Sequence, residues 1–455
     1  MELNERILAM QNDLLTCLQE NLRIPSVEGK PEDDAPYGIH VRRSLDHALE
    51  TAEKLGFRTC NVDNHIGWCE YGNGEEMVAV LGHLDVVPAG DGWSFDPWGG
   101  EIQGDRIFGR GTMDDKGPTI AAIFALKALA ESGMPIRRRI RIIFGCNEET
   151  GAQDVKYYLS HGGEIPVMGF TPDAEFPCIN GEKGIINAHC CRSFTQSGNL
   201  KIASIHGGTA SNVVPNYAKA ELICNKELAR SICEKSYDKA TFTMTETGVL
   251  AEAMGENAHG STPWQGENAI GRLILALNEL PFEGELAEVL RFLGEKLGMD
   301  TIGKASGIHL WDEPSGNLSL NWGTLNADSS SMRLVINYRY PVTFTFEDCG
   351  PKFRKLFEDF GFTVEQFHKE KLYIPADSEL VRILLKVYKE HTGIDGKPIC
   401  IGGGTYAKCL PNIIAFGPIF PGDEVREHKP DEFMEIPKLM KNAQIIASAM
   451  YEMAK

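Results

Sequence analysis

Four short apolar runs, at residues 77–81, 140–144, 167–170 and 413–416, constrain this chain more than any other feature of its 455 residues. Each has the length of a buried strand, and helical spacing at 119–130 and 154–159 separates the first three. Strands alternating with helices predict an α/β fold: a mostly parallel sheet flanked by helices. Ahead of it, Ile7, Met10, Leu14, Leu15 and Leu18 form one stripe of a predicted helix. Val41, Leu45, Ala48 and Ala52 form the stripe of a second, which Gly56 stops.

After Gly181 the texture changes to longer, more polar segments, with alternation at 334–340, until a helix-plus-strand pattern resumes near Asp377. The chain also exceeds the size at which one core keeps growing. The expected organisation is a catalytic domain of residues 1–182 and 372–455, interrupted by an inserted α+β lid domain of residues 183–371.

A net charge of −19 would repel phosphate backbones and anionic lipid, so neither nucleic acid nor a membrane is an expected partner. The stretch from Met1 to Asn21 is amphipathic and carries acidic residues, unlike a secretory signal. No run approaches the roughly 20 apolar residues of a membrane span. A cytoplasmic protein is expected, with its 12 scattered cysteines reduced.

Histidine, aspartate and glutamate concentrate where the predicted strands end, the place where an open α/β sheet has its ligand crevice. His83 and Asp85 follow the first run; alternate side chains point the same way, so His83 can bind a metal while Asp85 orients it. Asp114 and Asp115, flanked by glycines and just before a helix, make a cation site in which one carboxylate can bridge two ions. In Asn147–Glu148–Glu149, one carboxylate can hold a metal while the other takes a proton from water. Asp173, near Glu175, adds an oxygen ligand, and His428 lies in a polar loop beyond the last run. Each admits a plainer reading alone: strand-end His–Asp pairs are often only hydrogen-bonded, and loops are rich in acids. Together they suit a pair of ions such as zinc, with manganese or cobalt as substitutes.

The motifs GHLDVVP (82–88), GRGTMDDKGP (109–118), NEETG (147–151), TPDAEFPCINGEKG (171–184), AHGSTP (258–263), NYRYP (337–341) and IGGGTY (401–406) carry a resemblance to a known family. The chain resembles the co-catalytic zinc peptidases and deacylases that include carboxypeptidase G, aminoacylase, succinyl-diaminopimelate desuccinylase and carnosinase. Within them it looks most like the bacterial PepV-type dipeptidases. The resemblance implies two zinc ions, one held by His83 and Asp173, the other by Glu149 and His428, with Asp114 bridging. It implies Asp85 as the support of His83, Glu148 as general base, and a cis peptide bond after Asp114. In the lid it implies that His259 meets the oxyanion, while Asn212 and Arg339 hold the substrate's carboxylate. The Gly402–Gly404 run lacks the Lys-Ser/Thr ending of a phosphate loop, and reads instead as a backbone donor site for that carboxylate, with Gly402 and Thr405 as its candidates. His391 reads as structural. Around His428, VREHKPDEF departs from the family's more neutral surroundings.

The expected reaction is metal-dependent hydrolysis of dipeptides with a free amino terminus. A zinc-bridging water attacks the amide carbonyl, and Glu148 takes its proton and passes it to the leaving amine. Two alternatives stand beside it: an N-acyl amino acid deacylase of the same family, and a metal- or peptide-binding protein without activity. Asp173 favours the dipeptidase, because deacylases of the family tend to carry Glu there. A long lid of the PepV type supplies its histidine within one chain, so a monomer acting on small peptides is expected.

Overall fold

The computed structural model describes residues 2–455. The first predicted helix is two, Leu3–Ala9 and Gln11–Leu22, broken at Met10, whose N–H bonds back to Ile7 O at 3.0 Å. The apolar stripe survives the break: Ile7, Leu14, Leu15 and Leu18 are all buried. Helix Ile39–Lys54 buries Val41, Leu45, Ala48 and Ala52. Beyond it Gly56 takes φ 95°, a left-handed conformation that lets the chain leave the helix.

The chain forms two compact units. One runs through Asn180 and takes in Ile374–Ile399 and Gly404–Lys455. At its centre are four parallel strands in the order Arg139–Gly145, Met77–His83, Met168–Thr171, Ile413–Ala415. The antiparallel hairpin Arg58–Val62 and Ile66–Tyr71 extends the sheet beyond Arg139–Gly145. Strand Met77–His83 is buried along its whole length, which is why its sequence is continuously apolar rather than alternating. Helix Lys116–Ser132 is apolar on nearly every face because it is enclosed, packing against both the sheet and helix Ile436–Ala454.

The other unit comprises Gly181–Tyr373 and Cys400–Gly403. Its sheet of eight antiparallel strands runs from Thr241–Met244 at one edge to Thr363–Lys369 at the other. In strand Ser331–Tyr340, Met332, Leu334, Ile336, Tyr338 and Tyr340 enter the apolar core with helices Ala269–Leu277, Gly284–Lys296 and Gly350–Asp359. The alternate positions Asn337 and Arg339 are also buried. Residues Cys400–Gly403 join this unit through backbone: Lys183 N–H donates to Ile401 O at 3.0 Å, and Arg339 Nη1 to Gly402 O at 2.6 Å.

No disulfide links the cysteines among the described residues. None of the helices described is long and apolar enough to cross a membrane.

Phe170 is fully buried in the central sheet, edge-on to Phe416 with ring centroids 5.5 Å apart. Phe170→Ala is expected to cost about 3 to 5 kcal/mol of stability, read from the denaturant midpoint of the full-length protein.

Candidate metal centre

His83 ends the central strand, fully buried. Its Nδ1 donates to the Asp85 carbonyl at 3.0 Å and lies 3.4 Å from Asp85 Oδ1. The neutral ring therefore carries its lone pair on Nε2. That atom sits 3.0 Å from Asp114 Oδ1 and 3.8 Å from Asp173 Oδ2. Burial disfavours a charged imidazole here, but the hydrogen bonds to Asp114 and Asp85 and the Asp173 charge outweigh it and hold the ring well above its ordinary pKa. Gly82 lets the strand press against the helix behind it: a Cβ there would fall 2.0 Å from Thr119 Oγ1.

Asp114 stands at the start of helix Lys116–Ser132, joined to Asp115 by a cis peptide bond. Its Oδ1 faces His83, and its Oδ2 lies 2.9 Å from His428 Nε2. Burial would raise its carboxyl, yet the two histidines hold it below the usual range. Asp115 faces elsewhere: its Oδ2 accepts from His83 N–H at 3.1 Å and Thr119 Oγ1 at 2.9 Å. It braces the histidine backbone rather than offering a ligand. Lys116, also buried, donates to Asn21 O at 2.9 Å and Ile24 O at 2.8 Å, and burial lowers its amine to about 7.

Glu148 and Glu149 follow strand Arg139–Gly145. Their backbone N–H groups donate to the two oxygens of Asp85, at 3.2 and 3.1 Å. Asp85 thus holds the His83 ring through its carbonyl and the loop carrying the two glutamates through its carboxylate. Asp154 secures that loop from behind, accepting from Cys146 N–H at 2.6 Å, from Asn147 N–H at 3.1 Å and from the Tyr406 hydroxyl. Burial raises the Glu148 carboxyl to about 7, the Asp85, Glu149 and Asp114 charges adding to it against that of His83. Burial and the Asp114 charge also push Asp173 well up. His428 is half-exposed, at φ 59°, and the Asp114 and Glu149 carboxylates beside it raise it to about 10.

Two ligand sets result: His83, Asp114 and Asp173; and Asp114, Glu149 and His428, each with ligand atoms within 4.8 Å of one another. Glu149 Oε1 is buried without a satisfying hydrogen bond, although His428 Nε2 lies 3.2 Å away. Nitrogen and oxygen donors without thiolate, converging with an orphaned carboxylate oxygen, fit two divalent ions of the zinc type.

Asn212, His259, Arg339 and Gly402 belong to the second unit. Arg339 is 3% exposed and donates only to neutral acceptors, Asn337 Oδ1 at 3.0 Å and Gly402 O at 2.6 Å. No carboxylate pairs with it among the described residues, and burial lowers it to about 10. His259 Nδ1 accepts from Ser261 N–H at 3.4 Å and lies 2.6 Å from Ser261 Oγ, so its neutral form has the proton on Nε2. Burial and the Arg339 charge keep that ring neutral by lowering its pKa. The backbone of exposed Asn212 accepts from Gly260 N–H at 2.7 Å. The hydroxyl of Thr405, in the first unit, accepts from Ala407 N–H at 3.2 Å. His391, read as structural, hydrogen-bonds Ser448 at 2.8 Å.

The sequence reading did not single out Asp154, Tyr406, Glu432 or Arg110. Asp154 and Glu432 are acids lying just beyond predicted ligands, which is a weak signal; Tyr406 offered none beyond its motif.

Ligand sets sharing one carboxylate, above the carboxyl ends of parallel strands, define the class of dinuclear metal-dependent hydrolases. The model of peptidase family M20/M25/M40 matches residues 79–452, and the chain belongs to that family: it is a peptidase. A Bacillus subtilis (strain 168) protein named "Putative dipeptidase YtjP" is 38% identical over 99% of both chains. A Staphylococcus epidermidis protein, also named as a dipeptidase, is 32% identical over 98% of both. Similar solved structures include human carnosine dipeptidase 1, with TM-score 0.58 and 15% identity, covering 99% of this chain and 98% of that one. Another is the Saccharomyces cerevisiae di-peptidase Dug1p, with TM-score 0.57 and 13% identity, covering 99% and 97%. Those two likenesses are of fold alone.

Metal binding should depend on pH with a definite sign. Without metal, His428 (about 10) holds its proton at pH 6 to 7, and the upward shift of Asp173 acts in the same direction. Ligation needs the His428 imidazole deprotonated, so loading releases its proton, and affinity rises with pH by roughly tenfold per unit for each proton released. Zinc titration in weak buffer at pH 6, 7 and 8 checks this. In the same titration Asp85→Ala, which frees the glutamate loop and leaves His83 only the backbone carbonyl, should weaken binding by about 10–100-fold.

Proposed function

We propose that this peptidase hydrolyses the amide bond of dipeptides with a free amino terminus. The observation carrying the proposal is the arrangement at Asp114, with an imidazole at each oxygen, beside a buried Glu148 that titrates at about 7. His83 and Asp173 would hold one zinc-type ion, Glu149 and His428 a second, and Asp114 would bridge. Bound there, the ions would supply Lewis acidity, drawing the pKa of water toward about 7 and polarising the scissile carbonyl.

The chain's own groups do the rest. Glu148 accepts the proton of the attacking water and delivers it to the leaving amine. A carboxyl near 7 suits both transfers, being basic enough for the first and acidic enough for the second. Asp85 keeps the base in place through the backbone of Glu148 and holds the His83 tautomer. His259, neutral with its proton on Nε2, is assigned to the developing oxyanion, a donor worth about 3 to 4 kcal/mol in comparable sites. The substrate's carboxylate is assigned to Arg339, helped by Asn212, Gly402 and Thr405. The support for this is that Arg339 is a buried cation lacking an anion.

The dipeptidase names of the relatives at 38% and 32% identity, and aspartate rather than glutamate at position 173, favour a free amino terminus. The proposal retains residues 183–371 as lid domain and a monomeric, cytoplasmic enzyme.

The test is a panel of dipeptides and N-acyl amino acids, assayed on metal-free protein and after adding zinc, manganese or cobalt. Metal-dependent release of amino acids from the dipeptides is expected; cleavage of the acylated compounds alone would make the chain a deacylase. Glu148→Ala should bind metal normally yet lose about 10²–10⁴-fold in kcat. Retained turnover would remove Glu148 from the mechanism.

A further inference from the structure

Glu432 and Arg110 form an ion pair with Arg110 Nη1 2.5 Å from Glu432 Oε2, the two side chains 0% and 1% exposed. The partners come from chain segments 322 residues apart. The other oxygen of Glu432 accepts three backbone N–H groups, from Gly111 at 3.0 Å, Met113 at 2.9 Å and Asp114 at 3.3 Å. Its backbone carbonyl accepts a further one, from Gly109 at 2.9 Å. One side chain thus ties the segment of His428 to the turn that ends in Asp114.

Four residues before Glu432 the same segment carries His428, which meets Asp114 Oδ2 at 2.9 Å. The His428 turn has little else to hold it. It is half-exposed, and closes through Lys429 N–H to Arg426 O at 3.1 Å and Arg426 Nη1 to Pro430 O at 3.3 Å. Its nearest buried attachments are Glu432 and the strand Phe433–Glu435, which pairs with Arg106–Phe108. Arg110 also donates to Ala89 O at 3.3 Å, and Asp431 Oδ1 accepts from Ser94 N–H at 2.7 Å, so the neighbouring loop shares the anchor.

We infer that Glu432, held by Arg110, is a positioning residue that sets the distance between Asp114 and His428 and thereby governs loading of the ion held by His428. The inference rests on the proposed dinuclear centre. It predicts that the two ions respond unequally: the His83 set has its own supports in Asp85 and Asp115, whereas the His428 set depends on this clamp.

Glu432→Gln is the discriminating variant, since it keeps the shape. A carboxylate can face Arg110 with one oxygen and three N–H groups with the other; an amide must turn its NH2 toward one of those donors. Zinc titration calorimetry of the full-length metal-free protein should resolve two binding steps, and His428→Ala should identify the one that uses His428. Glu432→Gln is expected to weaken that step by about 10–100-fold and leave the other within about threefold. Excess zinc should then restore kcat with KM unchanged. Two normal binding steps, or equal weakening of both in a folded variant, would overturn the inference. Should Glu432→Gln fail to fold by circular dichroism, Arg110→Lys takes its place. It keeps the charge and should weaken the same step by at least roughly threefold; no change there would overturn the inference too. Wild-type protein that binds no zinc and cleaves no dipeptide would instead defeat the proposed function itself.

Discussion

Asp114 offers one carboxylate oxygen to each of two imidazoles, His83 at 3.0 Å and His428 at 2.9 Å, and much of the first unit is arranged around that contact. The two histidines come from the end of a central strand and from a loop more than 300 residues away in sequence. Bringing both to one carboxylate requires the sheet, the amino end of helix Lys116–Ser132 and the segment near the carboxyl terminus to meet at one point. Close packing makes this possible: at Gly82 there is no room for a Cβ between strand and helix. Burial alone would protonate Asp114, yet the histidines keep it charged. The ligand atoms therefore face one another with opposite charge where a cation pair would fit.

Around that hub, acids outside the ligand set act as fasteners. Asp85, Asp115, Asp154 and Glu432 each accept backbone N–H groups from the loops that carry the ligands. Such loops have no ladder or helix to satisfy their buried amides, and a carboxylate with several acceptor sites satisfies two or three at once. The metal-binding loops are irregular in backbone but not loose, because their hydrogen bonds end on buried side chains. Burial raises Glu148 to about 7, and the charge of Asp85 adds to it. Asp85 thus tunes the base as well as placing it.

The second unit uses the alternation of its sheet differently. One face of strand Ser331–Tyr340 supplies the apolar core, while the other buries Asn337 and Arg339. A buried guanidinium bonded only to neutral groups is costly unless an anion completes it. That is the physical basis for assigning it a substrate carboxylate. Whole-length identity of 38% with a Bacillus subtilis relative sits beside solved structures at 13–15% identity with the same fold. The scaffold tolerates wide change in sequence, since packing needs only apolar residues of about the right size.

By itself the sequence determined the parallel sheet and its buried helices and pointed to the candidate ligands, because strand length, helical period and the clustering of His, Asp and Glu at strand ends are local properties of the chain. His83, Asp85, Asp114, Glu148, Glu149, Asp173 and His428 could all be named from such clusters and the motifs around them. The break at Met10 escaped because one apolar stripe serves two helices as well as one. Clustering alone does not tell Asp114 from Asp115: the motif around them pointed to Asp114, and the tertiary structure turns it to both histidines while Asp115 holds a backbone N–H. Likewise Glu432 and Arg110, or Asp154 and Tyr406, acquire their roles through contacts across hundreds of residues, and a contact of that kind exists only once the chain has folded.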